Sequence, residues 1–245
     1  MKKLNKKIQL FIKQIIIFLC FTTLVNPQLK ASINKEDQTY EIIEKFTKKS
    51  SKTWSEDKLL KTIRLPQTIL LDADSRIYFS GCFRRGEKLK TIEGSSYCDS
   101  SHTIYLTKED VEDFYKLINS YGLIYLLGHE WSHAIQHAYL SQLNYPAKEL
   151  QADCLAGKHV SLFHSELNKS SIFSLARLIL HIGGPNHGSG SQRAFAMLTG
   201  AGIIDGNCED ESMKKLARNK KIAEKKIKKL MKDFDEKNKF LQKNF

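Results

Sequence analysis

Apolar residues recur along this chain at two periods, and the change from one to the other divides it. Short runs rich in β-branched and aromatic residues occupy 68–71, 76–79 and 103–106, separated by Asp, Gly and Ser. They predict a small antiparallel sheet. From Glu109 the apolar positions instead fall three and four apart, which predicts helices over 109–119, 122–140, 147–163 and 171–181. Pro146 suits the first turn of the third helix, and Gly183-Gly184-Pro185 ends the fourth. Ser189 with Gln192 three residues later forms a capping-box pattern, so a last helix starts there and Gly200 can end it. Sheet first and helices afterwards is the order of an α+β fold.

The flanks are more polar. Residues 32–61 are Lys- and Glu-rich with Tyr40, Ile43 and Phe46 at helical spacing, and read as a mobile or loosely packed lead-in. In 211–245, Leu216, Ala223, Ile227, Leu230, Phe234 and Leu241 form an apolar stripe among lysines. That tail reads as a solvated, partly frayed amphipathic helix, with membrane-surface or partner contact as the other reading. The formal charge of +12 resides at the two ends. Residues 1–30 carry six Lys and no acid and 211–245 carry 13 basic and five acidic residues, whereas 31–210 holds 20 basic against 22 acidic. The globular part therefore gives no reason to expect a nucleic-acid partner.

Lys2, Lys3, Lys6 and Lys7 precede an apolar run over 15–25 that is short for a membrane span, the pattern of a signal peptide with a cleavage point at Ala31. The alternative is an uncleaved N-terminal anchor over 8–25, with Lys13 reaching the headgroups. A lipoprotein Cys20 is disfavoured by Leu19, where a small residue belongs. Export leaves Cys82, Cys98, Cys154 and Cys208, an even number in a chain leaving the reducing cytosol, and two disulfides are expected. Three pairings are open. The short 82–98 loop favours Cys82 with Cys98, which leaves Cys154 with Cys208.

The chemistry is concentrated in Gly128-His129-Glu130-Trp131-Ser132-His133. Residues four apart on a helix share a face, so His129 and His133 can turn imidazole nitrogens to one ion. Glu130 then lies beside that ion, placed to take a proton from a water without being a ligand itself. A third ligand is offered by Glu149 in Glu149-Leu150-Gln151-Ala152-Asp153, 16 residues after His133, which is room for the chain to turn and run a second helix beside the first. Asp153, one turn on, suits a carboxylate that accepts the free ring N–H of a ligating histidine. Gln136 and Tyr139 stand where a metzincin needs Gly and His. His137 is eight residues from His129, about 12 Å along a straight helix, too far to share the ion. It is read as a surface or packing residue.

The runs His129-Glu130-Trp131-Ser132-His133-Ala134-Ile135-Gln136, Glu149-Leu150-Gln151-Ala152-Asp153-Cys154-Leu155-Ala156-Gly157 and His187-Gly188-Ser189-Gly190-Ser191-Gln192-Arg193 resemble the neutral zinc metallopeptidase family. Tyr97-Cys98, Thr103-Ile104-Tyr105-Leu106 and Cys208 behind Gly206 extend the resemblance over about 62–210. It implies a zincin-like helical core with the metal between two helices. It also implies zinc held by His129, His133 and Glu149, catalysis by Glu130, support from Asp153, and Cys154 and Cys208 in the framework. Ser132 and Ala134 stand where that family usually has Gly and His, and Asp99 where Pro often follows the Cys, departures that touch packing and substrate preference more than the metal.

The expectation is thus an exported zinc peptidase, secreted or periplasmic, with peptide or protein substrates. His187 is expected either to stabilise the oxyanion or, with Arg193, to organise the start of the last helix. Strand 103–106 beside the active helix is expected to hold an extended peptide by main-chain hydrogen bonds. The rivals are a zinc-binding protein that does not hydrolyse anything, and adhesion through the Lys-rich tail.

Overall fold

The computed structural model describes residues 27–71, 94–163 and 169–244. The chain divides into two compact units after Glu41, within helix α1 (Pro27–Glu56). Residues 27–41 of the first unit are helical. The second unit, 42–245, continues α1 into a 3-10 turn (Leu60–Thr62), β1 (Gln67–Leu71), β2 (Ser96–Cys98) and β3 (Thr103–Thr107). Helices α2 (Lys108–Ile118), α3 (Ser120–Ala138), α4 (Ala147–Phe163), α5 (Lys169–Leu180), α6 (Gly190–Gly200), α7 (Asp210–Arg218) and α8 (Lys220–Asn244) follow.

The fold is α+β and mostly helical, but the sheet is mixed rather than antiparallel. Its order is β1-β3-β2, with β1 parallel to β3 and β2 antiparallel to it. Strand patterns carry side-chain alternation and no direction, so parallel pairing of β1 and β3 is invisible in them. β3 is the central strand, with Ile104 and Leu106 fully buried. The strand expected over 76–79 and the residue Cys82 lie outside the described residues, as does the apolar segment 8–25.

The core surrounds α4, which packs between α3 and α6. Small residues set these distances: a Cβ on Gly157 would lie 2.0 Å from the Met197 carbonyl oxygen of α6, and one on Gly200 would lie 1.7 Å from that of Cys154 on α4. Ala152, Ala156, Ala194 and Ala196 line the same contacts and are fully buried. On the other side a Cβ on Gly128 would meet the Cα of Ala156 at 3.2 Å, so α3 and α4 also run close together. The Cys154–Cys208 disulfide ties α4 to the segment before α7. Cys98 is disulfide-bonded as well.

Both flanks are better packed than their composition suggests. Phe46 and Trp54 on α1 are buried and meet Trp131 edge-on, with ring centroids 5.7 Å away in each case. One aromatic every two turns is enough to dock an otherwise polar helix, so the second half of the lead-in belongs to the core. The tail is likewise no frayed appendage. Met213, Leu216, Ala223, Ile227 and Met231 are buried, and Phe234 stacks on Phe173 at 3.9 Å. Over 213–234 its apolar stripe is covered by the body, and lysines face outward.

Candidate metal centre

Helix α3 carries the first two histidines. His129 is buried and His133 half-buried, with their Nε2 atoms 3.3 Å apart. The close approach of α4 brings Glu149 from its first turn against both: Glu149 Oε2 lies 3.2 Å from His129 Nε2 and 3.5 Å from His133 Nε2. Among the described residues these three side chains form the group able to hold a metal ion.

The surroundings decide what the three can do. An ionised carboxylate only accepts, so the 2.9 Å contact between His129 Nδ1 and Asp153 Oδ1 places a proton on Nδ1 and leaves Nε2 as the nitrogen facing the group. His133 is arranged alike, its Nδ1 lying 2.8 Å from Gln136 Oε1. The orientation of Gln136 is set in turn, since its Nε2 donates to the Lys148 carbonyl at 2.8 Å and to Gln151 Oε1 at 3.0 Å. Gln151 donates to the Cys208 carbonyl and to Asp210. Two imidazole Nε2 atoms and a carboxylate oxygen therefore converge.

Three separations of 3.2, 3.3 and 3.5 Å fit one face of a tetrahedron. At metal–ligand bonds of about 2.0–2.2 Å its edges are roughly 3.3–3.6 Å long. The local charge points the same way. Glu130, Glu149 and Asp153 are all buried, and Arg193 is the buried cation that opposes them. Burial would disfavour the His129 imidazolium, but hydrogen bonds to Asp153 and Glu149 and the Asp153 charge outweigh it and raise its pKa to about 10. Burial likewise opposes the Glu149 carboxylate, yet its bonds to His129 and His133 hold it far below the usual range. Protons and a metal ion occupy the same lone pairs, so binding of an ion here would release a proton.

Asp153 is fully buried. Its Oδ1 accepts from Tyr125 Oη at 2.5 Å and from Arg193 Nη2 at 2.9 Å, and its Oδ2 accepts from Arg193 Nε at 2.8 Å. Burial pushes the Asp153 carboxyl up, but the guanidinium charge and hydrogen bonds prevail and lower it to about 2. Arg193 thus acts on Asp153 and not on the start of α6. That start is capped by Ser189 and Gln192 through the expected reciprocal bonds.

Glu130 lies outside the three-residue group. It is buried, its pKa is raised chiefly by that burial against the pull of His129 and His133, and it accepts a hydrogen bond from the backbone N–H of Tyr97 on β2. His187, in the turn before α6, reaches the group with Nε2 3.6 Å from Glu149 Oε2 while its side chain stays 52% exposed. His137 is exposed and stands edge-on to the Tyr97 ring.

Sequence reasoning missed Tyr125, Gln136 and Gln151 as supports. Tyr125 is one turn before His129 on the same face, so the i, i+4 spacing was a signal for it. The other two carry none without the fold. A further correction concerns the strand expected to hold a peptide. β1 takes one edge of β3 along its length and β2 takes the other over 103–105, so the strand is central and not an open edge, and the strand next to α3 is β2.

A cleft of about 660 Å³ opens beside His133, lined among others by Tyr97, Gln136, Leu140, Tyr145 and Lys148. The chain matches no family profile, no curated protein and no solved structure. Among the described residues no helix is long and apolar enough to cross a membrane, and the Cys154–Cys208 disulfide is consistent with an extracellular location.

Proposed function

We propose that the protein is an exported zinc-dependent metallopeptidase of the kind the motif resemblance implies, with zinc held by His129, His133 and Glu149. The observation that carries this reading is the separation of duties around the group. Both histidines have their Nδ1 protons committed elsewhere, while a fourth buried residue, Glu130, stands beside the group without belonging to it. Two His and one carboxylate, all through N and O, suit zinc and are the ligand type of catalytic rather than Cys-rich structural sites. When bound, the ion supplies Lewis acidity, which polarises a carbonyl and acidifies a water.

The protein's own groups do the rest. Glu130, its carboxyl raised by burial, accepts a proton from the attacking water and returns one to the nitrogen that leaves as the C–N bond breaks. The Tyr97 N–H keeps the carboxylate aimed. His187, exposed at the mouth, donates to the carbonyl oxygen as it gains charge. Asp153, Arg193 and Tyr125 hold His129, and Gln136 holds His133. The cleft beside His133 accommodates peptide.

Glu130→Gln tests this. Bound zinc should equal that of the wild type, and cleavage of a broad peptide library should be lost. The rival is a zinc-binding protein without hydrolytic activity, favoured by one observation: His187 is near enough to Glu149 to serve as a fourth protein ligand that closes the site. It gains if both proteins bind zinc and neither cuts any peptide.

A further inference from the structure

Helix α3 ends in a Schellman turn. The Ser141 N–H bonds the Gln136 carbonyl at 2.9 Å and the Leu140 N–H bonds that of His137 at 3.1 Å. This turn requires a left-handed residue, and the residue is Leu140, at φ 51°. Glycine is the default there because it has no Cβ to clash, whereas a branched side chain in that region costs about 1 kcal/mol or more. An expensive backbone conformation is usually offset by packing of the side chain. Leu140 has none of that compensation, since it is 74% exposed. The hydrophobic contact that accompanies such turns is missing too, because the positions that would make it are Ser141 and Gln136.

The place of this unrewarded leucine is specific. Leu140 lines the cleft whose wall includes His133 and Gln136, and so does Tyr145, itself 58% exposed. Tyr139 next to it is also exposed, but its hydroxyl is engaged with Asp57 at 2.6 Å, so it has a structural task. Leu140 has apolar surface facing the cleft and no such task, and the Tyr145 ring, with Lys148 Nζ 6.0 Å from its centroid, lines the cleft beside it. Tyr97 aside, the rest of that wall is polar or charged, with Asp99, His137, Gln142 and Lys148 in it. An apolar pair in a polar cleft sorts side chains.

We propose that Leu140 and Tyr145 form an apolar subsite that selects a hydrophobic side chain of the peptide flanking the scissile bond, Leu140 being a specificity-determining residue. This rests on the peptidase reading. One leucine-sized contact discriminates by roughly 10-fold or more between an apolar and a small polar side chain. The turn predicts a second, independent effect: glycine at 140 relieves the backbone and raises the melting temperature, while glycine at an ordinary site lowers it.

The test compares full-length, zinc-loaded wild type with Leu140→Gly and the conservative Leu140→Met. Substrates are two peptides of one sequence, taken from the member of a broad library that Glu130→Gln protein binds most tightly, differing only by Leu or Ser at the position that the subsite would take. Expected is a Leu/Ser ratio in kcat/KM of at least about 10 for wild type and Leu140→Met, falling to within about twofold for Leu140→Gly, with its melting point raised. A ratio that Leu140→Gly leaves unchanged, or wild type cutting both peptides equally, overturns the subsite and leaves the peptidase reading standing. Fluorescence anisotropy of the same two labelled peptides on Glu130→Gln protein reads the subsite without turnover. Equal affinity for Leu and Ser there overturns it even if the wild type cuts nothing.

Discussion

Asp153→Asn separates what that carboxylate does for folding from what it does for the metal. The side chain is fully buried, and around it Arg193 places two donors, His129 one and Tyr125 one. Removing the charge leaves the Arg193 guanidinium, only 7% exposed, without its counter-ion. Breaking a buried pair from one side costs about 3–5 kcal/mol, which for a unit of this size lowers the melting point by roughly 6–20 °C. His129 also exchanges a charged acceptor for a neutral amide oxygen that it shares with Tyr125 and Arg193, and weakening of such a partner lowers metal affinity by up to about 10–100-fold. The assay pairs thermal denaturation with zinc affinity by competition against a chelating dye, in single and double variants. In Asp153→Leu with Arg193→Met the stranded charge is gone, so most of the stability returns, while zinc affinity is low because leucine offers His129 no acceptor at all. A single variant less than about 1 kcal/mol below wild type, or a double variant with restored zinc affinity, would refute the reasoning.

Gly200→Ala forces a Cβ to within 1.7 Å of the Cys154 carbonyl oxygen and should destabilise by roughly 1–3 kcal/mol in urea melts, with zinc affinity reduced because α4 is displaced. Cys208→Ser opens a link across 54 residues, and chain entropy alone predicts a loss of about 4 kcal/mol in denaturant melts under non-reducing conditions; dithiothreitol, which also reduces the Cys98 bridge, should destabilise wild type by more than it does the variant. His159, largely buried and near Phe46, has its pKa lowered to about 4, first by burial and then by the Lys158 charge. Its folded pKa lies below the unfolded one, so the unfolded chain takes up the proton first. The stability from neutral His159 is fully present above about pH 6.5 and is lost as pH falls through about 4, by roughly 2–3 kcal/mol after allowance for its partial exposure. Denaturant melts between pH 4 and 7 should show that slope flattened in His159→Gln.

Much of the helical part was legible, because amphipathic periods of three and four residues report burial directly. The 147–163 helix and the Ser189 capping box are where that pattern put them. Glu149 and Asp153 were legible for the same reason: once 147–163 is a helix, the two share a face. What the sequence concealed depends on convergence between elements. β2 is three residues long and shows no alternation to recognise. Phe46 and Trp54 dock α1 through contacts with Trp131, which no local window contains. Gln136 and Arg193 acquire their tasks only when α4 and α6 close on α3, and that closing is set by Gly128, Gly157 and Gly200. The tail's apolar stripe was visible, but not the surface that would cover it.

The central claim is that His129, His133 and Glu149 grip one ion. A crystal of the full chain grown with zinc, with anomalous data collected on either side of the zinc absorption edge, tests it most directly. The account predicts a single strong peak within about 2.0–2.2 Å of His129 Nε2, His133 Nε2 and a Glu149 carboxylate oxygen. A peak held by other residues, or none at that point, would contradict it.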